Sequence, residues 1–162
     1  MGIADHISAA DVILDLDAAS KRSVLEVLAA EAAARLGRPG RDILGAVEAR
    51  EDLGSTALGR GAALPHARIG GDRLPVVLFA RLRRPVDFDA RDEEPVDLVI
   101  LVLWPEASPE GFLPALSEIC RSLREPTVLR RLRSAETPEE VASLLARPPP
   151  AGAAVASAHG GA

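Results

Sequence analysis

A chain of 162 residues with 48% hydrophobic and 27% charged residues can bury one sizeable core, which excludes a disordered protein and points to a single domain. A net charge of −5 and an aromatic content of 2% argue against nucleic acid or an anionic membrane as partner. The lone Cys120 excludes an internal disulfide framework, and the three scattered histidines show no metal-ligand spacing.

The opening Met-Gly-Ile-Ala-Asp has neither a basic nor an apolar leader region, so a soluble cytoplasmic protein is expected. Val12 to Leu16 reads as a first strand. Asp17 or Ser20 then caps a helix whose apolar positions Val24, Leu25, Leu28, Ala32 and Leu36 recur at helical spacing, and Gly37 ends it. Asp42 begins a second helix with Ile43, Val47 and Arg50 on one face. Gly54 to Gly61 reads as a loop, and Ala62 to Leu64 as a short strand leading into Pro65.

Two β runs follow, Val76 to Leu82 and Val96 to Leu103. The longest apolar run, Val96 to Trp104, is broken by Asp97 and too short to cross a bilayer, so no membrane insertion is expected. Between the two runs, Pro85 to Pro95 turns, with a short strand possible at Val86 to Phe88. Pro109 to Leu123 reads as a helix with Phe112, Leu116, Ile119 and Leu123 on one face. A short helix follows Pro126, and Thr137-Pro-Glu-Glu140 opens a last one with a capping box. From Arg147 to Ala162 the composition is Pro/Ala/Gly-rich, and this tail is expected to be disordered, leaving a folded domain over residues 1–146. Strands mixed with helices make the class α/β.

The chemistry concentrates between Arg50 and His66. Neutral imidazole is a good nucleophile near pH 7, and a phosphoryl group placed on it needs positioned donors and positive charge. Arg50 offers a guanidinium fork, which could equally offset a helix dipole. Ser55 and Thr56 offer hydroxyls, and Gly54, Gly59 and Gly61 offer backbone N–H groups in conformations open to few other residues. Pro65 fixes the backbone just before the imidazole. No Gly-Lys-Ser or Gly-Lys-Thr follows the loop, so neither a nucleotide nor any other cofactor is expected.

The run Arg50-Glu51, Gly54-Ser55-Thr56, Gly59-x-Gly61-x-Ala63-x-Pro65-His66 resembles the active-site signature of phosphotransferase-system IIA domains of the fructose/mannitol/nitrogen type. A second block, Pro85 to Asp92 and Pro95 to Leu98, resembles the central hairpin of that family. The resemblance spans about Ser8 to Leu145. It implies a mixed five-stranded sheet with helices on both faces, His66 as the phosphorylated residue through Nε2, and Arg50 steadying the phosphate. Ser55, Thr56, Gly59 and Gly61 would complete the phosphate site. The family usually carries a second histidine at the start of a His-Leu-x-x-Leu helix. Here that run is Phe112-Leu-Pro-Ala-Leu116, and neither His6 nor His159 replaces it.

The resemblance therefore implies a phosphocarrier and regulator of the nitrogen type, loaded by an HPr-like carrier and acting on partners according to its phosphorylation state. A chain without fused sugar-transport segments fits that role better than a fructose/mannitol IIA component. An interaction module independent of phosphorylation is the further alternative. A hydrolase with His66 as base has the least support, since Asp52 is the nearest orienting acid and no nucleophile stands out.

Overall fold

Strands β5 (Val76–Val86) and β6 (Val96–Pro105) pair antiparallel at the centre of the sheet, and most side chains on them are buried. The structure, a computed structural model, describes residues 3–71, 73 and 75–146. The expected tail from Arg147 onward lies outside the described residues. Strand β1 (Val12–Leu16) adds parallel to β5. On the other side of β6 lie β3 (Ala62–Ala63) and β4 (His66–Ile69), both parallel to it, and β2 (Ala57–Gly59) pairs antiparallel with β3.

The sheet has six strands, and it is mixed as expected. Strands β3 and β4 act as one lane: Ala62 faces Leu98 and His66 faces Val102, with no slip in register between them. Pro65 lacks the N–H that would continue the ladder, so the lane is interrupted just before His66. Counted by lanes, the expected five are present.

Alternation along the central strands fills a core on each face. Leu78, Ala80, Leu101 and Leu103 meet helices α1 (Lys21–Leu36) and α2 (Gly40–Asp52). Val77, Phe79, Ile100 and Val102 meet α3 (Phe112–Arg124), α4 (Pro126–Ser134) and α5 (Pro138–Ala146). Ser20, rather than Asp17, caps α1 by accepting from the Ser23 amide, and Gly37 closes it in the left-handed region at φ 65°. Helix α2 begins at Gly40, two residues ahead of Asp42, because Pro39 supplies the extended backbone before it.

Three expectations change. Gly54 to Gly61 is not all loop: Ala57 to Gly59 forms β2, and Arg60 and Gly61 turn the hairpin with φ of 59° and 83°. Two successive positive φ values suit a tight hairpin turn. A Cβ on Gly61 would also lie 2.5 Å from the Arg133 guanidinium, which would have to shift, but it is the positive φ that favours glycine there. No separate strand covers Val86 to Phe88; Val86 ends β5, and Phe88 turns inward and is fully buried. Helix α3 starts at Phe112 rather than Pro109, because Gly111 before it is left-handed at φ 89°.

Candidate functional site around His66

His66 opens β4 and is half-buried. Its Nδ1 lies 2.8 Å from the carbonyl oxygen of Leu64. A carbonyl oxygen can only accept, so Nδ1 carries the proton and, in the neutral ring, Nε2 carries the lone pair. Nε2 has no hydrogen-bond partner among the described residues and is not among their buried, unpartnered atoms, so it is open to an incoming group.

The ring lines a cleft of about 410 Å³. Helix α2 supplies one wall through Ala46, Ala49 and Arg50, and Leu53 stands at its end, 84% exposed. Arg50 donates from one guanidinium nitrogen to the Gly54 carbonyl at 2.9 Å, holding the turn after α2. Its remaining donors have no partner among the described residues. Arg68 and Glu106 add one charge of each sign to the lining.

Phe112 forms another wall. Its ring meets His66 edge-on, with centroids 5.9 Å apart and planes at 64°. It packs equally on Trp104, at 5.8 Å, and is only 9% exposed. Phe112 is thus both a wall of the site and the edge of the core. Trp104 in turn meets His6 edge-on at 5.6 Å, so His6 lies beyond two intervening rings and does not stand in for a second histidine beside His66. His159 falls outside the described residues.

The loop residues sit differently. The Thr56 hydroxyl donates to Glu51 and is buried. The Ser55 hydroxyl donates to the Phe88 carbonyl at 2.6 Å and accepts from the Ala57 amide at 3.1 Å. Gly54, Ser55 and Gly59 line a different cavity with Asp89, Arg91 and Asp92, and Gly61 packs against Asp97 and Arg133. Of the expected site residues, the cleft brings together His66 and Arg50 with Phe112. Ser55, Thr56, Gly59 and Gly61 instead shape the hairpin that carries the lane to His66.

Sequence reasoning missed Glu51. A carboxylate in a run of charged residues reads as solvent-facing, yet Glu51 is 8% exposed and paired with Lys21 at 2.9 Å. Lys21, the chain's only lysine, also lies 5.0 Å above the Phe88 ring.

Burial lowers the pKa of His66 below the ordinary 6.5, and the Arg50 charge pushes the same way; the Leu64 carbonyl and Glu51 oppose them. The ring therefore keeps its neutral form to a lower pH than a free imidazole does. Phe112→His should make the wall polar and bring the His66 titration back up, whereas Phe112→Leu should leave it low at a stability cost of about 1 kcal/mol. Ring NMR titrations with parallel thermal melts check both. Equal titrations in the two variants would confine Phe112 to the core.

The chain is similar to known proteins over most of its length. The model of the family described as "Phosphoenolpyruvate-dependent sugar phosphotransferase system, EIIA 2" matches residues 5–147. The chain belongs to this EIIA type-2 family. Among its relatives is a nitrogen regulatory protein of Bradyrhizobium diazoefficiens, 39% identical over 149 residues that cover 92% of this chain and 97% of that one. A nitrogen regulatory protein of Pseudomonas aeruginosa is 41% identical over 128 residues, covering 78% and 83%. The crystal structure of the nitrogen regulatory protein IIA-Ntr from Neisseria meningitidis superposes with a TM-score of 0.85 at 31% identity, covering 88% of this chain and 98% of that one. This EIIA chain is therefore nitrogen-regulatory IIA-like in sequence and in fold.

Proposed function

We propose that this EIIA protein carries a phosphoryl group on Nε2 of His66, received from an HPr-like histidine phosphocarrier, and that its phosphorylation state is read by regulatory partners. The observation that carries the proposal is the Nδ1–H bond to the Leu64 carbonyl, which reserves the Nε2 lone pair for attack. The Nε2–P bond forms as the P–N bond of the donor phosphohistidine breaks, and the donor nitrogen recovers its electron pair. No proton has to leave Nε2, so no general base is needed.

The ring carries positive charge once phosphorylated, balanced by the phosphate, and the free donors of Arg50 suit the phosphoryl oxygens. Leu53, which lines the cleft with Arg50, and Leu113, next to Phe112 in sequence, are 84% and 71% exposed and offer apolar surface to a docking carrier. Among the described residues no helix is long and apolar enough to cross a membrane, and the proposal places the protein in the cytoplasm. Similarity to nitrogen regulatory proteins over most of the chain favours regulation over sugar transport.

Incubation with phosphoenolpyruvate, Enzyme I and an HPr-like carrier tests the proposal by intact mass. One acid-labile phosphate per chain, dependent on the carrier, is expected. No adduct under conditions that load the carrier itself would refute it.

A further inference from the structure

We propose that Glu51 is a positioning residue for His66, held in place by Lys21 and acting through Thr56 and Leu64 to keep the ring in the form with the proton on Nδ1. The inference rests on His66 being the phosphoryl acceptor. Its basis is a continuous chain of hydrogen bonds. Lys21 Nζ, at the start of α1, lies 2.9 Å from Glu51 Oε1 at the end of α2. Glu51 accepts from the Thr56 hydroxyl and, at 3.3 Å, from the Thr56 amide. The Thr56 carbonyl accepts from the Leu64 amide at 3.0 Å, and the Leu64 carbonyl accepts from His66 Nδ1 at 2.8 Å.

Each link has a reason to be firm. A carboxylate buried to this extent must be paired and hydrogen-bonded, and Glu51 meets that need with Lys21 and both Thr56 donors. Lys21 is itself confined, with Asp89 at 3.5 Å and the Phe88 ring beneath it. Thr56 therefore cannot rotate its hydroxyl away without leaving a buried charge short of a donor. That fixes the residue before β2, and through the Thr56–Leu64 bond it fixes the backbone that turns into Pro65. The carbonyl that sets the imidazole tautomer is thus aimed by a carboxylate that does not line the His66 cleft. Outer groups that fix a ring tautomer in this way govern which nitrogen reacts.

The test uses the full chain with ¹⁵N-labelled histidine, unphosphorylated, at a pH above the imidazole titration. Ring nitrogen shifts then give the share of the Nδ1–H form. Wild type should hold His66 almost wholly in that form. Glu51→Ala should lower the share and slow phosphorylation roughly tenfold, about one hydrogen bond's worth of orientation. Glu51→Gln keeps an acceptor for Thr56 and should retain the tautomer, with a rate within about threefold of wild type. A folded Glu51→Ala protein with the wild-type tautomer share and rate overturns the proposal. If Glu51→Ala does not fold, Thr56→Val, which deletes only the hydroxyl bond, must show the reduced share, and an unchanged share overturns it. Wild type that accepts no phosphate would refute the phosphocarrier reading, while the ring measurement would still decide the role of Glu51.

Discussion

His66→Ala is expected to abolish the carrier-dependent phosphate adduct while the fold persists. The imidazole is half-buried at the start of a short strand, and its one hydrogen bond among the described residues is to the Leu64 carbonyl. Losing that bond beside an open cleft should cost no more than about 1.5 kcal/mol. Trp104, the only tryptophan, sits two rings away and reports on the packing of this region by fluorescence. A phosphate adduct surviving in a folded His66→Ala protein would move the acceptor elsewhere.

The same variant should change the pH dependence of stability. Unfolded imidazole titrates near 6.5 and the folded ring lower, so the unfolded state binds the proton first as pH falls. The contribution of the neutral ring is complete above 6.5 and is lost as pH drops from there toward the folded value. Denaturation curves across that range should show wild type losing stability relative to His66→Ala. Parallel profiles would contradict the lowered titration.

Arg50→Ala should slow phosphoryl transfer by about 10- to 150-fold, the equivalent of roughly 1.5–3 kcal/mol for one charge-assisted hydrogen bond. Arg50→Lys should recover part of the rate, because an ammonium keeps the charge but loses the fork. Both variants also lose or weaken the bond to the Gly54 carbonyl, so a shared small drop in stability is expected alongside the different rates. Single-turnover transfer from the phosphorylated carrier separates the two effects. Rates near wild type in both variants would reduce Arg50 to closing the turn after α2.

What the sequence showed plainly was set by local rules. Val12 to Leu16, the Gly37 stop of α1, the proline at the start of α4 and the Thr137 opening of α5 are each signalled within a few residues, whereas the choice of Ser20 over Asp17 as cap is settled by the structure. Strand β4 was not legible, because it follows directly on Pro65 and carries an exposed Arg68; its place comes from pairing with β6 far along the chain. Strand β2 was hidden by glycines that serve a hairpin turn and look the same in a row of letters as glycines that would cradle an anion.

The site divided along the same line. His66 and Arg50 follow from a motif with fixed spacing, and both line the cleft. The hydroxyls of Ser55 and Thr56 fit an anion site by chemistry alone, but their partners, Phe88 and Glu51, are assigned only by three-dimensional contact. Burial of Glu51 depends on Lys21 arriving from another helix, which no spacing near Glu51 announces.

Nε2 of His66 is the atom proposed to bond to phosphorus. Phosphorylation of ¹⁵N-histidine-labelled protein by the loaded carrier, followed by ring-resolved ¹⁵N and ³¹P NMR, reads that atom directly. The expected spectrum places phosphorus on Nε2 of His66 with the proton kept on Nδ1. Phosphorus on Nδ1, or on any residue other than His66, would contradict it.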